Sequence, residues 1–324
     1  MINGVIGIGN ALVDIMVRLE SEELLERLSL PPGSMQLIER ERSHEMTAAV
    51  NHMAERITSG GSVANTIYAL GMMKADAGYI GSVGNDSYGT LFRDELTRAG
   101  VSARLFTSDL PTGTAIAFIS PGGERTFATY TGAAAALNED DLDAGIYDGY
   151  DLLYLEGYLI FNLPLVVRSL QLAKERGMLV ALDLSGYNIV EEARENFKMV
   201  VADYVDILFA NEEEAYAFTG QDAERAARSL SEICDIAVVK RGREGSVISR
   251  GSDFIAVGAV GGDAVDTTGA GDMFAAGFLY GMTRGWQIER CGRAGSLLAG
   301  HIVESVGARP ADHKWSTIER EMGR

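Results

Sequence analysis

The 324-residue chain predicts an α/β protein, a three-layer α-β-α core around a mostly parallel sheet, with a small β-sheet lid. Three observations carry that expectation. Short apolar runs at 152–155, 179–182, 207–210 and 236–239 alternate with helical segments at 163–176, 194–201, 212–218 and 223–233. That alternation is the pattern of parallel strands joined by helices that cover both faces of a sheet. Two hairpin-like insertions, about 15–59 and 104–131, interrupt it and read as a small sheet over the mouth of the core. A Gly-rich turn, Asp266-Thr267-Thr268-Gly269-Ala270-Gly271-Asp272, feeds an apolar helix. A single domain over residues 1–324 is expected.

Taken in order, Val5 to Ile8 is the first strand. Gly7-x-Gly9 hints at a dinucleotide fingerprint, but Leu12 stands where a third glycine belongs, so that hint is set aside. Asp14 lies within apolar residues, where a carboxylate is either paired and used or faces water from an edge strand. Residues 21–28 predict a short helix closed by Leu30-Pro31-Pro32-Gly33. Segments 34–38 and 56–59 have strand character, and 41–54 is helical between them. Ser59-Gly60-Gly61-Ser62-Val63-Ala64-Asn65 is a second Gly-centred element before a helix at 64–72. Its glycines permit close approach of a ligand, and Asn65 offers both a donor and an acceptor. A strand and turn at 78–89 lead into a helix at 91–99. Segments 114–120 and 125–131 flank Pro121-Gly122-Gly123-Glu124, a hairpin signal.

The turn at 266–272 organises the rest. Phe274, Phe278 and Met282 repeat at helical spacing behind it, and Thr267 or Thr268 is a natural N-cap. N–H groups at the start of such a helix lack partners, so they can receive an anion. Asp272 falls in the first turn, where the helix dipole favours its ionised form. A carboxylate beside such donors suits removal of a proton from a hydroxyl that attacks a phosphoryl group. Glu156, Asp183, Asn211 and Lys240 fall just beyond strand ends, where α/β proteins collect their functional residues.

Composition narrows the function. With 28 Lys+Arg against 46 Asp+Glu, the formal net charge is −18. Such a surface repels phosphate backbones and anionic lipid, so neither nucleic acid nor membrane is an expected partner. Cys234 and Cys291 have no CxxC spacing and read as thiols of a reducing compartment. The N-terminus has no basic stretch and reads as a buried strand, not a signal peptide; the expected location is the cytoplasm. No apolar run nears the ~20 residues a bilayer requires.

The chain lacks Gly-x-x-x-x-Gly-Lys-Ser/Thr, the His-Arg-Asp and Asp-Phe-Gly pieces of protein kinases, and Gly-x-Ser-x-Gly. Its four histidines are scattered. What remains resembles the PfkB (ribokinase-like) kinases over nearly the whole length. Asp266-Thr-x-Gly-Ala-Gly-Asp272 is similar to their C-terminal signature, which implies Asp272 as catalytic base and Gly269-Ala270-Gly271 as anion hole. Gly60, Gly61 and Asn65 resemble the N-terminal signature that contacts the acceptor. Asp14 resembles the early Asp that binds acceptor hydroxyls, and Glu156 more loosely an acceptor contact. Asn211-x-x-Glu214 fits the motif that organises Mg²⁺ and phosphates, Glu214 acting through water; an acidic helix start is the plainer alternative. Lys240, Gly242 and Gly245 resemble the nucleotide-side turn, and Thr268 joins that nucleotide-binding set. Gly307-Ala308-Arg309-Pro310 resembles a closing loop near a monovalent-cation site.

The resemblance implies ATP and Mg²⁺ as cofactors, with K⁺ as a further candidate, and a small-molecule acceptor. Gly9 to Ile15, the lid segment 112–126 and the long insertion before Gly60 look more like adenosine kinases than ribokinases or fructokinases. An adenosine acceptor needs an aromatic or apolar slot, for which Phe118, Phe127, Tyr130 and Tyr158 are candidates. A sugar kinase of the same family and a non-catalytic binder stay open, as does a homodimer paired through exposed lid strands.

Overall fold

A computed structural model describes residues 2–121, 124–261 and 265–323. The strands are β1 (Gly4–Ile8), β2 (Leu12–Arg18), β3 (Met35–Leu37), β4 (Ala54–Gly60), β5 (Asp76–Gly84), β6 (Ser102–Ser108) and β7 (Thr112–Ile119). They continue with β8 (Arg125–Gly132), β9 (Leu152–Glu156), β10 (Leu179–Asp183), β11 (Ile207–Asn211), β12 (Ile236–Lys240), β13 (Ser246–Arg250) and β14 (Asp253–Val257). The helices are α1 (Glu23–Arg27), α2 (Arg40–Val50), α3 (Ser62–Met72), α4 (Ser87–Arg98), α5 (Leu163–Glu175) and α6 (Tyr187–Glu192). After them come α7 (Arg194–Tyr204), α8 (Glu212–Thr219), α9 (Ala223–Leu230), α10 (Ala270–Thr283), α11 (Ile288–Val303) and α12 (Trp315–Met322).

Nine strands form the main sheet in the order β14-β13-β12-β11-β10-β9-β1-β5-β6. From β12 to β6 every pairing is parallel; the hairpin β13–β14 adds antiparallel strands at one edge. Alternate residues serve opposite faces, as strand geometry requires. Leu152, Tyr154, Ile207, Phe209, Ile236 and Val238 join the core under α3, α10 and α11, whereas Leu153, Leu155, Leu208, Ala210, Ala237 and Val239 join the core under α5, α7 and α8. Phe274 and Phe278 are buried in the first of these cores, so the helix expected behind the Gly-rich turn is present and faces the sheet.

The second sheet has five strands in the order β3-β8-β7-β2-β4. Val13, Ile15, Val17, Ile116, Phe118 and Ala128 pack one of its faces against Leu25, Met46 and Val50 of α1 and α2. Gly122 and Gly123 of the expected hairpin lie outside the described residues.

Four expectations need correction. The stretch from Arg104 does not belong to the lid at its start: β6 pairs in parallel with β5 in the main sheet. The helix α4 makes β5–α4–β6 a crossover unit, and Ala103 and Leu105 pack on the main core. Asp14 is not on an edge, since β2 lies between β4 and β7. The helix expected at 41–54 stops at Val50; a 3-10 turn at Asn51–Met53 follows, and Ala54 already pairs as strand. Neither threonine caps α10, whose N-cap is Gly269 at φ 74°. The sequence alone does not predict β13, β14, α6, α11 or α12.

Candidate active site

The parallel strands β1, β9, β10, β11 and β12 end on one edge of the sheet. Glu156, Asp183, Asn211 and Lys240 are the last residues of β9 to β12, within the strands and not beyond them as expected, and Asn10 follows β1, with the start of α3 and the start of α10 beside them. Both helices begin at glycines with positive φ, Gly61 at 98° and Gly269 at 74°, which an L side chain resists. The chain therefore turns sharply into each helix, and the two N-termini face each other.

Asp272 is where they meet. Its Oδ1 accepts from Ser62 Oγ at 2.7 Å and its Oδ2 from Asn65 Nδ2 at 3.0 Å. Thr66 Oγ1 donates to the Asp272 carbonyl at 3.0 Å, a third tie between α3 and α10. Burial raises the Asp272 carboxyl to about 6, while the hydrogen bonds from Asn65 and Ser62 pull the other way. The helix dipole alone would have predicted a low value; desolvation outweighs it here.

Of the three expected anion-hole donors, Gly269, Ala270 and Gly271, one is not open. Ala270 N–H is engaged by the Thr267 carbonyl at 3.1 Å. Among the described residues the N–H groups of Gly269, Gly271 and Asp272 have no acceptor. The open donors are thus Gly269, Gly271 and Asp272, because the turn folds Ala270 back on Thr267. Beside them lies Lys240: a Cβ on Gly271 would sit 3.2 Å from Lys240 Nζ. Lys240 Nζ donates to Asp183 Oδ2 at 2.7 Å, so this cation is paired and not solvated. Burial alone would lower its pKa, but Asp183 and then Glu214 outweigh that and leave it raised.

Asp14 and the paired glycines fit one another. A Cβ on Gly60 would fall 2.2 Å from Asp14 Cγ, and one on Gly61 would fall 2.2 Å from the Asn10 carbonyl. Gly60 thus leaves room for the Asp14 carboxyl, which burial raises to about 7 against the opposing pull of Arg309. Glu156 clamps the same loop: it accepts from Asn10 N–H at 3.0 Å, Asn10 Nδ2 at 2.6 Å and Val63 N–H at 3.1 Å. Its carboxyl is also raised by burial, to about 7.

Asn211 and Glu214 bond chiefly to each other. Asn211 Oδ1 accepts from Glu214 N–H at 2.8 Å, and the Glu214 carboxylate accepts from Asn211 N–H at 2.7 Å and Nδ2 at 2.9 Å. This is a capping box on α8. Glu214 is nevertheless 3 % exposed, and burial together with nearby Asp183 raises it to about 7. In the turn after β12, Gly242 has open space where a side chain would stand, whereas Gly245 is accounted for by the Val257 carbonyl 2.0 Å from its would-be Cβ.

Three residues outside the expected set belong to the site. Ser62 lies inside the Gly-centred segment, and only the crossing of α3 and α10 aims it at Asp272. Arg125, on β8, pairs with Asp266 and donates to Thr268 Oγ1, so the lid touches the Gly-rich turn directly. Arg309 is 4 % exposed behind Asn65. A signal existed for the two arginines, since each stands in a quoted motif of an acidic chain. Of the aromatic candidates, Phe118 is buried in the lid's own core and Tyr130 pairs opposite Thr114, a neighbour in register of Val13 on that same face. Tyr158 donates to the Ser185 carbonyl at 3.1 Å. Phe127 alone lies on the other lid face, in line with Arg125.

Family and relatives define a phosphotransferase that acts on an alcohol group. Residues 33–315 match the pfkB family of carbohydrate kinases. The chain belongs to that family. The adenosine kinase of Saccharomyces cerevisiae is 28% identical over 326 residues, covering 93% of this chain and 94% of its own. The structure of the adenosine kinase from Sinorhizobium meliloti superposes with a TM-score of 0.88 at 33% identity, over 98% of this chain and 99% of that one. That of a probable sugar kinase from Rhizobium etli gives 0.89 at 32% identity, over 100% and 99%. No helix among the described residues is long and apolar enough to cross a membrane.

Proposed function

We propose that the protein moves the γ-phosphate of Mg·ATP to a hydroxyl of adenosine or a related nucleoside, with Asp272 as general base. The observation that carries this reading is Asp272 anchored by Ser62 and Asn65 beside three N–H groups that have no acceptor among the described residues. Held there, the carboxylate accepts the acceptor's proton while the amides of Gly269, Gly271 and Asp272 stabilise negative charge on the transferring group. Asp14 and Asn65 would orient acceptor hydroxyls, and Gly60 and Gly61 let them approach the backbone. Glu156 holds Asn10 and the first turn of α3 in place and so shapes the acceptor side without needing to touch it.

ATP fits the nucleotide side on two observations: open space over Gly242, and Lys240 Nζ beside the amides at Gly271. Thr268 lies at the same turn. ATP bound there supplies the phosphoryl group, and Mg²⁺ offsets its charge. Among the described residues no three His, Cys, Asp or Glu side chains form a metal cage. Mg²⁺ keeps several waters and phosphate oxygens as ligands, so a buried Glu214 acting through water fits it. A monovalent cation such as K⁺ fits less well by the Gly307–Pro310 turn. Asp266 there accepts from Gly307 N–H at 2.6 Å and Thr268 N–H at 2.8 Å and also pairs with Arg125. No step is assigned to such an ion.

The lid favours a nucleoside. The face shared by Arg125 and Asp14 also carries Phe127, Ala115 and Ala117, with Met35 and Leu37 on β3 in register with Phe127 and Thr129. Met35 is 41% and Leu37 71% exposed, apolar surface that a flat base would cover. A sugar kinase is the second reading, supported by the similarity to the Rhizobium etli protein. ADP release with Mg·ATP and a panel of nucleosides, ribose and fructose tests both. Turnover with adenosine and not with the sugars supports the first; the reverse supports the second. Tight binding with no ADP release means a non-catalytic binder. The two free cysteines, both buried, support a reducing compartment such as the cytoplasm. The open lid edge at β3 supports a homodimer, which sedimentation velocity tests.

A further inference from the structure

We propose that Arg309 is a positioning residue for Asp272, acting through the side-chain amide of Asn65; the proposal deepens the reading of Asp272 as the base. Arg309 Nε donates to Asn65 Oδ1 at 2.9 Å, and Asn65 Nδ2 donates to Asp272 Oδ2 at 3.0 Å. A guanidinium has donors only, whereas an amide has one acceptor end and one donor end. With Asn65 Oδ1 held by Arg309, the amide is left to face Asp272 with its N–H. A flipped Asn65 would set N–H against N–H on one side and carbonyl against carboxylate on the other.

Arg309 can impose that choice because it is itself held on several sides. Its Nη1 donates to Ser59 Oγ at 2.7 Å and to Glu95 Oε2 at 3.2 Å, and its guanidinium carbon lies 4.1 Å from the Tyr68 ring centroid. Nη2 is buried and has no partner among the described residues. Burial lowers the Arg309 pKa, so keeping this cation here costs solvation that a purely structural contact between β4 and α4 would not require. Ser59 and Glu95 already hydrogen-bond each other, at 2.7 Å from the hydroxyl and 2.9 Å from the amide N–H. The contact of Arg309 with Asn65 is the one that reaches Asp272, while its charge also acts on Asp14 through space.

Asp272 is surrounded by other titrating groups: Asp183 on β10, Lys240 on β12, Asp14 on β2, and Glu156, Tyr154 and Tyr158 on or after β9. A test must therefore separate action through Asn65 from action through space. The Asp272 carboxyl ¹³C resonance, identified by its loss in Asp272→Asn, is titrated in the full-length protein. Arg309→Met is expected to raise its midpoint by roughly half a unit to one unit, as loss of a donor to the charged form does. In an Asn65→Ala background the same change is expected to move it little. An unmoved midpoint, or an equal shift in both backgrounds, overturns the proposal. If Arg309→Met does not fold, Arg309→Lys keeps the charge but loses the planar fork that grips the amide, and the same upward shift is expected. The titration needs no turnover, so its outcome stands apart from the kinase reading, which ADP release by the wild type tests separately.

Discussion

Asn65 Nδ2 and Asp272 Oδ2 lie 3.0 Å apart across 207 residues of sequence, joining the start of α3 to the start of α10. Two Gly-rich turns that look independent in the chain are one structure in space, and the carboxylate between them is bound on both oxygens. The first prediction follows from that placement.

Asp272→Asn keeps the shape of the side chain and removes its ability to take a proton. Turnover with the preferred acceptor is expected to fall by about 10²–10⁴-fold, with the fold retained by circular dichroism. A variant that still releases ADP at the wild-type rate rules out Asp272 as base.

The base must be ionised to act. Burial holds the Asp272 carboxyl at about 6, above the ordinary range of an aspartate, so the rate is expected to fall as pH drops through about 6. Below that midpoint the loss approaches tenfold per pH unit. A rate profile flat between pH 7 and pH 5 contradicts the assignment.

Glu156 makes a stability prediction with two parts. Glu156→Gln replaces one acceptor oxygen with a donor, which leaves Val63 N–H or Asn10 N–H unsatisfied and costs about 1–3 kcal/mol. The folded carboxyl is raised by burial from 4.5 to about 7, so the folded state binds the proton more tightly than the unfolded one. Stability from this group therefore grows as pH falls from about 7 toward 4.5 and is lost as pH rises. The Tm advantage of wild type over Glu156→Gln is expected to widen over that interval, as thermal melts at a series of pH values would record.

Arg125 on the lid pairs with a fully buried Asp266 carboxylate. Arg125→Met leaves that charge without its cation, at a cost of several kcal/mol, about 3–5 for a buried pair broken on one side. Asp266→Asn in the same chain is expected to recover part of the loss. Additive destabilisation by the two changes, measured by urea unfolding, would show that the pair does not tie the lid to the turn.

The apolar lid face gives a specificity prediction. Leu37→Ser and Phe127→Ala are expected to raise KM for a nucleoside by about tenfold while leaving kcat nearly intact, since each removes contact area remote from the transferring group. Equal KM values in variant and wild type would place the base elsewhere.

Much of this protein was legible in its residues taken locally. The alternation of short apolar runs with helical segments determined the parallel sheet, because strand and helix periodicities are written over five to fifteen neighbouring residues. The order Asp-Thr-x-Gly-Ala-Gly-Asp likewise singled out Asp272, since a turn and the helix behind it are local structures. The assignment of β6 to the main sheet was not legible: pairing depends on which edge is free, and β-character looks the same in either sheet. Nor was the capping role of Asn211 and Glu214 separable from a metal role, because both need the same residues at the same spacing.

Only the tertiary structure decided what surrounds the carboxylate. Ser62 and Asn65, one turn apart on α3, lie 210 and 207 residues from Asp272, and Arg309 lies 244 residues from Asn65, so no local periodicity brings these three segments together. Their convergence is set by the packing of α3 against α10 and by the return of the C-terminal chain beneath Asn65. The desolvation that raises Asp272 has the same origin: it depends on what is packed around the group, whereas the helix dipole read from sequence depends only on its own turn. Local chemistry singled out the carboxylate, and long-range packing set its proton affinity.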